Sequence, residues 1–83
     1  MNKIIIEVHI PAIDEIYDVK LPKDIQIWEA TRMISDLIAS THPGLYSRDN
    51  QAMLCNYDDG QLIPVNVVVD DSGLVNGSRV LLV

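Results

Sequence analysis

The run Ile4-Ile5-Ile6-Glu7-Val8-His9-Ile10 constrains the fold more than any other segment of the chain. Ile4, Ile6, Val8 and Ile10 recur at every second position and share one face of an extended backbone, leaving Ile5, Glu7 and His9 on the other. A strand with one apolar face must lay it on a second layer, so the chain is committed to a sheet packed against something. Pro11 closes the run, and Ala12-Ile13-Asp14-Glu15 leads into a second alternating stretch, Ile16-Tyr17-Asp18-Val19-Lys20-Leu21. Tyr17, Val19 and Leu21 are expected to face inward, which makes the first unit a hairpin.

Pro22 stops that strand, and Asp24 is placed to cap a helix beginning near Ile25 or Gln26. Ile27, Ala30, Ile34, Leu37, Ile38 and Thr41 fall at three- and four-residue spacings with Met33 beside them, while Glu29, Arg32, Ser35 and Asp36 are expected to meet water. This predicts an amphipathic helix of about four turns at the usual pitch, ended by His42-Pro43-Gly44. Leu45 to Asn50 carries no periodicity and reads as a loop. Ala52-Met53-Leu54-Cys55-Asn56 is a short third strand, Tyr57-Asp58-Asp59-Gly60 a turn, and Gln61-Leu62-Ile63 a short fourth strand halted by Pro64. Val65-Asn66-Val67-Val68-Val69 looks like a further strand. Asp70 to Gly77 is turn-rich, with Asn76-Gly77 a strong reversal signal, and Ser78 to Val83 closes the chain as a strand. No repeat or linker interrupts this order, so residues 1–83 are expected to form one domain.

The core must be built from Ile, Val and Leu, because only 5% of residues are aromatic and none is Phe. Lone Cys55 cannot close an internal disulfide, and secreted domains of this size usually need covalent staples or a metal; a reducing, cytoplasmic location is therefore expected. The N-terminus meets an acid after three apolar residues, and no segment approaches the ~20 apolar residues of a membrane span. Neither a signal peptide nor direct membrane insertion is expected. Six basic residues against twelve acidic ones give a formal charge of −6, with the basic ones scattered. That argues against nucleic acid, whose binding needs clustered Lys and Arg, and favours a basic protein surface.

Residues that carry chemistry elsewhere have ordinary structural roles here. His9 and His42 are far apart in the inferred topology, and Cys55 belongs to another hairpin, so no Cys-His dyad is expected. Asp58-Asp59 and Asp70-Asp71 resemble cation ligands only superficially; Asp in turns bonds its own local backbone. No glycine-rich nucleotide fingerprint is present. No enzyme activity, cofactor or metal is expected. Trp28 stands about 100° from the centre of the helix stripe at the usual turn per residue; it either packs on the neighbouring loop or first hairpin, or anchors a partner.

The order hairpin, helix, short hairpin, turn, final strand resembles ubiquitin and its relatives. Leu21-Pro22-Lys23-Asp24-Ile25-Gln26-Ile27 is similar to that family's junction between second strand and helix. Val69 to Val80, with its Gly73-Leu74-Val75-Asn76-Gly77 step, is similar to the segment that delivers the closing strand. The implied fold is an α+β ubiquitin-like β-grasp, with a mixed sheet of order 2-1-5-3-4 on one α-helix. Conjugated modifiers and sulfur carriers of this lineage end in a mobile Gly-Gly tail, whereas this sequence ends at Val83 within its expected last strand; a non-conjugated protein is therefore expected, the alternative being a carrier or modifier type that lacks its tail. Among β-grasp proteins without Gly-Gly, the length, acidity and closing Gly-Leu-x-Asn-Gly-Ser-Arg-Val-Leu-Leu-Val resemble the YukD/EsaB family, bacterial ubiquitin-like proteins associated with type VII (WXG100/ESAT-6) secretion. The resemblance implies an accessory or regulatory role through protein contacts. In the implied sheet, Leu81 and Val83 lie outside, beside Ile5 and Met53 or Cys55, forming an apolar strip that either meets a protein partner or a second copy in a homodimer, or is exposed incidentally. Ile5, Met53, Cys55, Leu81, Val83 and Trp28 are the candidate contact residues.

Overall fold

A computed structural model describes residues 2–42 and 52–83. Strands β1 (Lys3–Ile10) and β2 (Glu15–Pro22) form the expected hairpin, joined by a 3-10 turn over Pro11–Ile13 and by Asp14 in the left-handed region at φ 54°. Helix α1 (Ile27–Thr41) follows, then β3 (Leu54–Asn56), a 3-10 turn at Val69–Asp71 and β4 (Arg79–Leu82). The sheet order is β2-β1-β4-β3, with β4 parallel to β1 and the other pairs antiparallel. This is the expected mixed sheet in which the last strand enters the centre. The expected fourth strand is reduced to one bridge, Cys55↔Leu62, because Gly60 and Pro64 leave too few residues between them to extend a ladder.

Alternation places Ile4, Ile6, Val8 and Ile10 on the buried face, together with Val19, Leu21, Leu54, Val80 and Leu82. α1 covers them with Ile27, Ala30, Ile34 and Ile38. The helix face differs from the hydropathy reading. Leu37, Met33 and Thr41 are exposed, whereas Ser35 and Thr31 are buried. The buried arc is centred on Ile27, Ile34 and Ile38, which places Leu37 and Met33 on one flank at ~100° per residue. Small residues at the arc let the helix approach the sheet, and Thr31 satisfies its hydroxyl by donating to the Ile27 carbonyl at 2.8 Å.

The helix cap lies two residues after the expected one. Gln26, not Asp24, holds the N-cap position, and its N–H donates to the Glu29 carboxylate at 3.2 Å. Residues 65–69 are not a strand. Their carbonyls receive the helix's first donors: Ile27 N–H meets Val67 O at 2.9 Å and Trp28 N–H meets Val65 O at 3.2 Å. These N–H groups have no partner within the helix, so the adjacent turn at Val65–Val67 supplies one. Val69 then drops into the core. Glu29→Ala is expected to cost about 1 kcal/mol, through the lost cap and lost carboxylate at the helix N-terminus. Asp24→Ala is expected to stay within about 0.5 kcal/mol. Urea melts of the two variants check this, and equal losses would return the cap to Asp24.

The turn before β4 is clamped from both sides. Gly77, at φ 85°, donates its N–H to Ile5 O at 2.8 Å, and Ile5 N–H donates to the Asn76 side-chain oxygen at 2.8 Å. The Asn76-Gly77 pair therefore makes the reversal and also extends the ladder to β1. The expected stop at Pro43-Gly44 and the loop through Asn50 lie outside the described residues; His42 is the last described residue of the helix end, its N–H on Ile38 O.

Candidate functional site

The face of the sheet opposite α1 carries the odd-numbered residues of β1 and their cross-strand neighbours. The registers align Ile16, His9, Leu81 and Cys55 in one transverse row across all four strands, and the Cys55↔Leu62 bridge extends it. Beyond that row, Met53 and Val83 exchange backbone hydrogen bonds at 2.8 and 2.9 Å. Met53, Cys55, Leu81 and Val83 thus stand together, with Met53 at 44% and Val83 at 58% exposure.

Ile5 stands apart from this group. Its neighbours are Lys20 on β2 and Gly77, and the polar row Asp18, Glu7, Arg79 separates it from Leu81. Trp28 belongs to the helix layer, on the other side of the sheet. It is 46% exposed, and its indole N–H donates to the Gln26 side-chain oxygen. The structure therefore brings four of the six candidates together and leaves Ile5 and Trp28 elsewhere.

Three residues that sequence reasoning did not single out flank the apolar group. Tyr57 leaves the end of β3 on the same face, and its ring lies 4.4 Å from the His9 ring, tilted by 42°. The Arg79 guanidinium sits 4.8 Å from the Tyr57 ring centroid, a cation–π distance. Both ends are held: Glu7 Oε2 lies 2.6 Å from His9 Nε2, and Asp58 Oδ1 accepts from Arg79 at 3.2 Å. A carboxylate only accepts, so Nε2 carries the hydrogen in this contact. The pair Arg79–Asp58 is exposed and worth little energy by itself; its effect is to hold the guanidinium over the ring. His9, Tyr57 and Leu81 then line a shallow depression of about 330 Å³, together with Pro11, Ile16, Asp14 and Glu15.

Such a hollow is suited to an apolar or aromatic-stacking side chain with a positive end, because its wall is apolar and aromatic and its rim is acidic. The other acidic residues of the two Asp-Asp pairs sit in turns. Asp59 accepts from Gln61 N–H at 3.0 Å, and Asp70 and Asp71 lie in a 3-10 turn, with their N–H groups on Lys23 O and Val68 O. Among the described residues no group of three or more His, Cys, Asp and Glu is placed to hold a metal ion. No helix of the described residues is long and apolar enough to cross a membrane.

No family model matches the sequence, and no curated protein matches it. Solved structures do match. The chain superimposes over its full length on part of a protein of the MycP5-free ESX-5 inner membrane complex, with TM-score 0.81 and 13% identity, and spans 21% of that protein. It superimposes on the ubiquitin-like domain of the Mycobacterium tuberculosis type VII secretion system protein EccD1 with TM-score 0.66 and 16% identity, covering 100% of this chain and 99% of that one. A chain of a toluene 4-monooxygenase HD complex with an inhibitor also matches, with TM-score 0.73 and 10% identity over 96% of this chain and 95% of that one. At these identities the likeness establishes the fold, a ubiquitin-like β-grasp.

Proposed function

We propose that this ubiquitin-like domain works by protein binding, without chemistry of its own, and that its outer sheet face docks a component of a type VII secretion system on the cytoplasmic side. The contiguous apolar group Met53, Cys55, Leu81 and Val83, continuous with the Tyr57 wall, supports binding: single exposed apolar residues are ordinary, whereas a contiguous patch beside aromatic residues marks an interface. The whole-chain likeness to the EccD1 ubiquitin-like domain, whose length it matches, supports the secretion setting. The resemblance to the YukD/EsaB family supports an accessory or regulatory role there. Asp14 and Glu15 at the rim, with the net charge of −6, favour a partner segment that carries Lys or Arg beside an apolar residue.

Calorimetric titration of the purified chain against the soluble domains of type VII secretion components tests the reading. Saturable binding to one of them is expected, and absence of binding to all of them overturns it. Tyr57→Ala is expected to weaken that binding by about 30-fold, the ~2 kcal/mol of an aromatic hot spot. Tyr57→Phe is expected to bind like the original chain, because the ring rather than the hydroxyl contacts His9 and Arg79.

A further inference from the structure

β2 is an edge strand of eight residues. Lys23 N–H donates to Asn2 O at 2.7 Å, which fixes the alternation of the β1–β2 ladder. In an antiparallel pair every second residue turns its N–H and C=O toward the partner strand. The odd-numbered residues of β2 thus bond to β1, and Ile16, Asp18 and Lys20 turn theirs outward. Among the described residues no bond to these outward groups is found. Such an edge is a template for another strand.

The side chains on this edge indicate which strand. Asp18 lies directly opposite Glu7, a like-charge pair across the hairpin, and neither Asp18 nor Lys20 has an ion-pair partner among the described residues. Like charges facing across strands are destabilising, and opposite charges stabilise. We infer that β2 pairs antiparallel with β2 of a second copy of this chain about a twofold axis at Val19, placing each Asp18 opposite the other copy's Lys20.

The register is selected by charge and by hydrogen bonding together. Only pairings that match even-numbered residues with even-numbered ones bring the outward backbone groups together. Moving the register two residues one way opposes Asp18 to its own copy, and two residues the other way opposes Lys20 to its own copy. The Val19 register alone opposes Asp18 to Lys20 twice, relieving the Glu7–Asp18 repulsion. It also pairs Ile16 with Pro22, where the missing proline N–H ends the ladder.

The helix layer supplies an apolar cover for the same seam. The connection β2–α1–β3 joins two parallel strands, and such connections are right-handed. Combined with the right-handed winding of α1, this turns the flank bearing Met33 and Leu37 toward the β2 edge. Trp28 lies on the opposite flank, consistent with its N–H reaching Val65. Met33 and Leu37 are 45% and 47% exposed, and half-buried Tyr17, on the core face of β2, stands against His42 at the end of α1. Two copies related at Val19 carry their helices on one side of a continuous sheet, with these flanks facing across the seam.

Sedimentation equilibrium of the full chain, with Asp18→Lys and Lys20→Asp made separately, tests the inference. The original chain is expected to dimerise. Each reversal replaces two attractive pairs by two repulsive ones and is expected to raise the dimer dissociation constant by roughly 10-fold or more. An equimolar mixture of the two variants is expected to restore association, because every facing pair is again opposite in charge. Both variants remain foldable, since the residues are exposed. Leu81→Asp, on the outer face, is expected to leave the dimer intact, and the monomeric variants are expected to keep the partner binding proposed above. The inference is overturned by a chain that stays monomeric up to about 1 mM. It is equally overturned by reversals without effect, by a mixture that fails to reassociate, or by a dimer that Leu81→Asp dissolves. A monomer whose Ile16, Asp18 and Lys20 amides gain exchange protection only when another protein is added would assign the edge to that protein's strand instead.

Discussion

Ile34→Ala is expected to remove about 2–5 kcal/mol of stability, the range for deleting a large aliphatic side chain from a packed core. Ile34 has no exposed surface and sits mid-helix over the sheet, in the cluster that includes Ile6, Val8 and Val80. Alanine improves the helix propensity, but by less than about 0.7 kcal/mol, so the cavity dominates. A domain of this size buries a smaller fraction of its surface than a larger one does, about 60%, and is expected near the low end of the usual 5–15 kcal/mol. The melting temperature should therefore fall by roughly 10 °C or more, at about 4–8 °C per kcal/mol. Leu37→Ala, on the exposed flank, should cost under about 1 kcal/mol. Urea melts followed by circular dichroism, with an unchanged denaturant slope, measure both. Equal losses at the two positions would mean that the helix buries the face hydropathy suggested.

That contrast shows what kind of information the sequence holds. β1 was legible because strict alternation from Ile4 to Ile10 permits only one assignment of faces, and the last strand because Val80 and Leu82 alternate beyond a Gly77 reversal. On α1 the periodicity was legible but its centre was not: Leu37 and Ser35 lie on opposite flanks of the same arc, and closeness of approach to the sheet, rather than hydropathy, decides which is covered. Residues 65–69 misled for a related reason. Three valines in succession look like a strand, yet the carbonyls of Val65 and Val67 are used to satisfy the first N–H groups of a helix some forty positions earlier, and those of Val68 and Val69 close a 3-10 turn. Side-chain pattern does not say where backbone groups are spent. The Glu7–His9–Tyr57–Arg79–Asp58 chain was hidden more deeply, since it exists only because β4 lies parallel to β1 and brings residues 9, 57 and 79 together. A His, a Tyr and an Arg so widely spaced carry no local signal.

The second large effect expected is loss of partner capture by the double variant Leu81→Asp, Met53→Asp, with the far-ultraviolet circular-dichroism spectrum unchanged. Leu81 is the hub of the outer face, pairing with His9 on one side and Cys55 on the other. An aspartate there puts a carboxylate between the Tyr57 wall and the Met53–Val83 pair, where a docked partner would have to strip its water, and a buried unpaired charge costs several kcal/mol. A second aspartate at Met53 removes the other half of the patch, so binding should fall by at least about 1,000-fold, or ~4 kcal/mol. In the free domain both carboxylates remain hydrated, because neither side chain belongs to the core. The acidic surface proposed to attract a basic partner also supplies the control. If added negative charge alone mattered, Asp would strengthen steering toward Lys and Arg; a loss of binding identifies apolar contact as the requirement. Ile5→Asp sharpens the assignment further. Ile5 is as exposed as Met53 but lies beyond the Glu7–Arg79 row, so capture should survive there, and a loss equal to that of the double variant would mean that the partner covers the whole sheet face rather than the group around Leu81.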